Sequence, residues 1–107
     1  MNFIEPYTDS IRLLCEQYHI ASLDVFGSVL TDSFQADSDI DFLVCFEKIP
    51  IEQHADNLFE FTTPLSRLMS REVDVIEESV IQNHYLLKSI NRHRASIYGR
   101  ENSGLAA

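Results

Sequence analysis

The chain has 107 residues, with 8 Lys and Arg against 17 Asp and Glu for a formal net charge of −9. That length predicts one domain with its own core and no second folded unit, and 45% apolar residues with 10% aromatics exclude a disordered chain. The acidic balance opposes direct binding to a nucleic acid backbone, which needs Lys and Arg to displace counterions. It leaves open a nucleotide held through metal ions, or a basic protein partner.

The first residues lack a basic stretch followed by an apolar one, so no secretory leader is expected. Ile11, Leu14, Cys15 and Tyr18 recur at helical spacing and predict a first helix over 9–18, with Thr8 or Asp9 capping its first turn. Residues 21–26, with Leu23 and Val25 on one face, read as a short strand that Gly27-Ser28 breaks; a short helical turn and a loop follow over 29–38. Ile40, Phe42, Val44 and Phe46 alternate with Asp39, Asp41, Leu43 and Cys45, which predicts a second strand over 39–46. Apolar residues on both faces from Phe42 onward make it a central strand. The run 42–46 is also the longest strongly apolar one, far below the ~20 residues of a membrane span.

Ile51, Ala55, Leu58, Thr62, Leu65 and Met69 give helical periodicity over 51–69. Pro64 within it predicts a kink, or a restart with Thr63 as the cap. A third strand is expected over 72–76. A last helix follows, opened by a capping box over 79–82 or by Asn83, and its closing Lys88, Arg92, His93 and Arg94 suit the negative end of the helix dipole. Residues 100–107 are expected to form a flexible tail. The reading is a single α/β domain over 1–99, a small mixed sheet of about three strands with flanking helices. Strands two and three can be parallel across a helical connection, and the short link between strands one and two permits an antiparallel pair. Cys15 and Cys45, 30 positions apart in apolar patterns, read as two free, buried thiols of a reducing, cytoplasmic compartment.

The chemistry concentrates at Asp39-Ile40-Asp41. Residues two apart on a strand point the same way, so both carboxylates leave one face, where they repel unless a divalent cation joins them. Asp74 stands alone among Val73, Val75 and Ile76 on the third strand, where a charge needs a reason. If strands two and three are neighbours, the three carboxylates converge as a cage for two Mg²⁺ ions. Gly27-Ser28 lets backbone approach a phosphate, with a hydroxyl and helix-start N–H groups as donors. The histidines are scattered and read as surface or packing residues.

Gly27-Ser28, Asp39-x-Asp41 and Val73-Asp74-Val75, together with Phe26-Gly27-Ser28 and the ending Ile97-Tyr98-Gly99, resemble the nucleotidyltransferase superfamily of DNA polymerase β. The resemblance is closest to its minimal prokaryotic members and covers most of the chain. It implies a polymerase β-like core in which Gly27 and Ser28 hold the β- and γ-phosphates of ATP. Asp39, Asp41 and Asp74 bind two Mg²⁺ ions, and Asp74 also helps activate an acceptor hydroxyl. It further implies transfer of AMP to that hydroxyl, with a tyrosine of a HEPN-type toxin as acceptor and an antitoxin role for the chain. A homo-oligomer stays open, and neither a membrane nor direct nucleic acid binding is expected. One departure is visible: many minimal members carry an Arg and a Gly shortly after the Gly-Ser, where this chain has Val29, Leu30, Thr31 and Asp32. That departure keeps open an antitoxin that masks its partner without catalysis; the shared core also permits nucleotide transfer to a small molecule, against which the lack of an acceptor-binding domain counts.

Overall fold

The computed structural model describes residues 3–31, 34–35 and 37–99. In chain order these form α1 (Thr8–Gln17), β1 (Ile20–Phe26), β2 (Ile40–Phe46), α2 (His54–Met69), β3 (Val73–Glu77), α3 (His84–Arg92) and β4 (Arg94–Tyr98), with short 3-10 turns between them. The strands make one sheet in the order β3-β2-β1-β4. β1 is antiparallel to both β2 and β4, and β2 is parallel to β3. The α2 crossover is what allows the parallel pair, since parallel strands need a long connection.

The period-two alternation in β1 and β2 decides which face is covered. Leu23, Val25, Ile40, Phe42 and Val44 are fully buried against Ile11 and Cys15 of α1 and Phe61, Leu65 and Met69 of α2. The opposite face carries Asp24, Asp41, Leu43, Asp74 and Arg94, which register places directly across from one another or two residues apart. The polar face is therefore the one left for function, while two helices seal the other. Among the described residues no helix is long and apolar enough to cross a membrane.

Three expectations need correction, and one open alternative is resolved. The sheet has four strands, not about three: residues 94–98, read as the end of a helix and a packed terminus, pair along the open edge of β1. Pro64 neither breaks nor restarts α2, which runs unbroken from His54 to Met69. Phe61 and Leu65 on either side of Pro64 are fully buried, and their packing on the sheet outweighs the ~3 kcal/mol that an interior proline costs a helix. The last helix starts at Asn83, whose side chain accepts from the N–H groups of Tyr85 and Leu86 at 2.9 and 3.1 Å; residues Glu78–Val80 form a separate 3-10 turn. Both cysteines are free as expected, but Cys45 is only half-buried, with its Sγ 3.5 Å from Glu78 Oε1. Burial, then the neighbouring Glu16 charge, pushes the Cys15 thiol up to about 12. The tail expected over 100–107 lies outside the described residues.

Candidate functional site

β2 places Asp41 opposite Asp74 of β3 in parallel register, and opposite Phe26 of β1 on its other side. Adjacent strands run about 4.8 Å apart with opposed side chains on one face, so Asp41 and Asp74 stand side by side. Asp39, one residue before β2, shares that face by alternation. The electrostatics record the convergence. The Asp41 carboxyl is held above its ordinary 3.8, first by burial, then by the charges of Asp74 and Asp39, and last by a hydrogen bond with Asp74. Asp41 is half-buried, and Asp39 and Asp74 are exposed.

Phe26 ends β1 in extended backbone, and the chain turns at once into the 3-10 turn Gly27–Leu30. Gly27 has φ +79°, and a Cβ built on it would lie 2.9 Å from Asp41 Oδ2. Only glycine suits both the left-handed backbone and this close approach. The Gly27 N–H donates to His93 O at 3.1 Å, so its amide is already used. What Gly27 offers a ligand is room and shape, and the donors left to this turn begin at Ser28. The Ser28 carbonyl accepts from Thr31 N at 2.9 Å and Thr31 Oγ1 at 3.0 Å, which locks the turn. Val29 behind it is buried in the core, so this turn carries no cation.

Three carboxylates beside a glycine cradle are a hard-oxygen donor set suited to a divalent cation such as Mg²⁺. Among the described residues no three His, Cys, Asp or Glu side chains are drawn into a closed cluster. The carboxylate oxygens suit such an ion in kind.

A second group on this face has no counterpart in the sequence reading. Asp24 of β1 is 2% exposed. Arg94 of β4 reaches it with Nε at 2.8 Å and Nη2 at 2.7 Å, and reaches Glu78 with Nη1 at 3.1 Å and Nη2 at 2.9 Å. Arg94 also donates to Asn91 Oδ1 of α3 at 2.7 Å. Burial by itself would lower the guanidinium's pKa, but its hydrogen bonds to Glu78 and Asp24 raise it instead. Phe26 lies between Arg94 and Asp41 in one row across the sheet. A charged residue inside the apolar run Leu23-Asp24-Val25 was a readable signal of a buried partner; which residue partners it was not. His54, read as a surface or packing residue, holds Glu77 Oε2 at 2.7 Å, and Ser79 Oγ donates to the same oxygen at 2.9 Å.

Residues 9–103 match the family described as polymerase beta, nucleotidyltransferase. A protein of Methanocaldococcus jannaschii named "Putative protein adenylyltransferase MJ0128" is 37% identical over 81 residues, covering 74% of this chain and 78% of that protein. The fold is similar to that in a solved toxin–antitoxin complex with AMP-PNP (TM-score 0.69, 17% identity, covering 92% of this chain and 78% of that one). It is also similar to a solved complex of the tri-AMPylated Shewanella oneidensis HEPN toxin with an MNT antitoxin (TM-score 0.64, 15% identity, 94% and 77% covered). With the motif residues gathered on one face of a four-stranded mixed sheet and the family match spanning nearly all of the chain, this protein belongs to the polymerase β family of nucleotidyltransferases.

Proposed function

We propose that this chain transfers AMP from ATP to a hydroxyl of a partner protein, with a tyrosine of a HEPN-type toxin as the acceptor. The observation that carries the reading is the in-register pair Asp41–Asp74, coupled to Asp39 and pressed against Gly27. A surface without such chemistry gains nothing from crowding three carboxylates. The M. jannaschii relative's name, the AMP-PNP in one structural neighbour and the AMPylated HEPN toxin in the other support the nucleotide and the partner class.

Asp39, Asp41 and Asp74 would hold Mg²⁺, which when bound neutralises charge on the triphosphate and on the departing pyrophosphate. Gly27 gives the polyphosphate close access to the strand ends, and Ser28 contributes its hydroxyl as a donor. Asp74 is exposed and stands on its own strand, on the side where an acceptor enters. It takes the hydroxyl proton as the acceptor oxygen bonds to the α-phosphorus and the bridging oxygen leaves with pyrophosphate. The free thiols suit a cytoplasmic setting, and the net charge of −9 suits a partner with a basic surface.

A second reading, masking without catalysis, is favoured by one observation. No cation follows Gly27-Ser28, and the guanidinium nearest in the sheet, Arg94, is engaged by Asp24 and Glu78. Incubation with α-labelled ATP, Mg²⁺ and the HEPN partner separates the two. Label on a partner tyrosine supports transfer; an inhibited but unlabelled partner supports masking.

A further inference from the structure

Arg71 follows α2 immediately after Ser70, whose left-handed backbone (φ 56°) ends the helix. Its own backbone is held at both ends: Arg71 N donates to Ser66 O at 3.3 Å, and Ser66 Oγ donates to Arg71 O at 2.6 Å. From that fixed base the side chain crosses to the segment ahead of β2. Nη1 donates to Ser38 O at 2.8 Å and to Gln35 O at 3.3 Å. The flat guanidinium lies 4.5 Å from the centre of the Phe3 ring and 4.7 Å from that of Phe34, and the two rings meet edge to face at 5.3 Å. The segment also closes on itself, with Ser38 N donating to Gln35 O and Gln35 N to Ser38 Oγ, both at 3.0 Å. Beyond it, Ile40 N donates to Glu72 O at 3.3 Å. Residues 71 and 72 thus grip the backbone on both sides of Asp39.

We infer that Arg71 is a positioning residue for Asp39: the Phe3–Arg71–Phe34 stack fixes the Ser38 carbonyl and so the direction in which Asp39 presents its carboxylate to the site. The inference rests on the metal-holding reading of Asp39 given above. Asp39 itself is exposed and lies before the first ladder residue of β2, so strand pairing alone does not set it. Arg71 Nε is buried with no hydrogen-bond partner. An orphaned buried donor works against the fold, so stability alone does not account for the arrangement. A planar fork stacked on aromatic faces is a geometry that Lys cannot reproduce.

The test is a double-mutant cycle read with Mn²⁺ alone as the probe, in the full chain, alongside backbone order parameters for residues 37–39 and thermal unfolding. Arg71→Lys keeps the charge and Phe34→Leu removes one ring, so a failure of either variant to fold leaves the other. In wild type, Asp39→Asn should weaken Mn²⁺ binding. Arg71→Lys should weaken it about tenfold, as loss of an outer supporting partner does, while lowering the order parameters of 37–39. Added to Asp39→Asn, Arg71→Lys should weaken Mn²⁺ binding no further, because its effect passes through that one side chain. Unchanged Mn²⁺ binding in Arg71→Lys and Phe34→Leu, or losses that simply add in the double variant, overturn the positioning role. A different result, equal Mn²⁺ binding by wild type and Asp39→Asn, overturns the metal reading of Asp39 and the inference with it.

Discussion

A Cβ at Gly27 would sit 2.9 Å from Asp41 Oδ2 on a backbone with φ +79°. Gly27→Ala therefore brings two penalties at once, a strained left-handed residue and a displaced carboxylate. Urea titration should show a loss of roughly 1–2 kcal/mol, and nucleotide transfer should fall far more than that loss explains. Asp41 behaves in the opposite sense. Its pKa is raised in the fold from an ordinary 3.8, so the folded state resists losing that proton. The destabilisation is absent below the ordinary value, grows as pH rises through the folded pKa, and is constant above it. Asp41→Asn should abolish transfer yet raise Tm at neutral pH in the absence of divalent ions. The gain should vanish when Tm is measured below pH 3.8. Asp39, Asp41 and Asp74 were legible because a strand has period two and because a charge among valines needs a reason. Arg71 and Arg94 were not, since nothing local to an arginine says which distant carbonyl or carboxylate it meets.

Among the elements, α2 tests how far local rules reach. Pro64 lacks the N–H that would bond back one turn, and tertiary packing of Phe61, Leu65 and Met69 carries the helix through regardless. Pro64→Ala restores that donor without touching the buried stripe. Stability should rise by about 1–3 kcal/mol, measured by denaturant titration with an unchanged m-value. The strands β1, β2 and β3 could be read within a residue or so, because alternation and the Gly27 break are local signals. β4 could not, because five residues at a sheet edge carry little periodicity and derive their structure from the unpaired flank of β1. The N-terminus of α3 was open between two competing caps, and the Asn83 side chain wins it by reaching two N–H groups at once.

At the scale of the molecule, two helices close one face of the sheet and leave the other to charge. On that face the Asp24–Arg94–Glu78 group ties β1, β4 and the turn after β3 together, with Arg94 in the same row as Asp41. Removing one member strands a buried charge. Arg94→Met should cost about 3–5 kcal/mol in stability at neutral pH, and the simultaneous change Asp24→Leu with Arg94→Met should recover most of it. Whether the three carboxylates carry the transfer is measured directly by mass spectrometry of the proposed HEPN-type partner after incubation with Mg-ATP and each form of this chain. Wild type should add AMP to a tyrosine. The Asp39→Asn, Asp41→Asn double variant should add none while keeping its fold, and Asp74→Asn should lose transfer far more than Mg-ATP affinity. Undiminished Mg²⁺-dependent AMP transfer by the double variant would contradict the account.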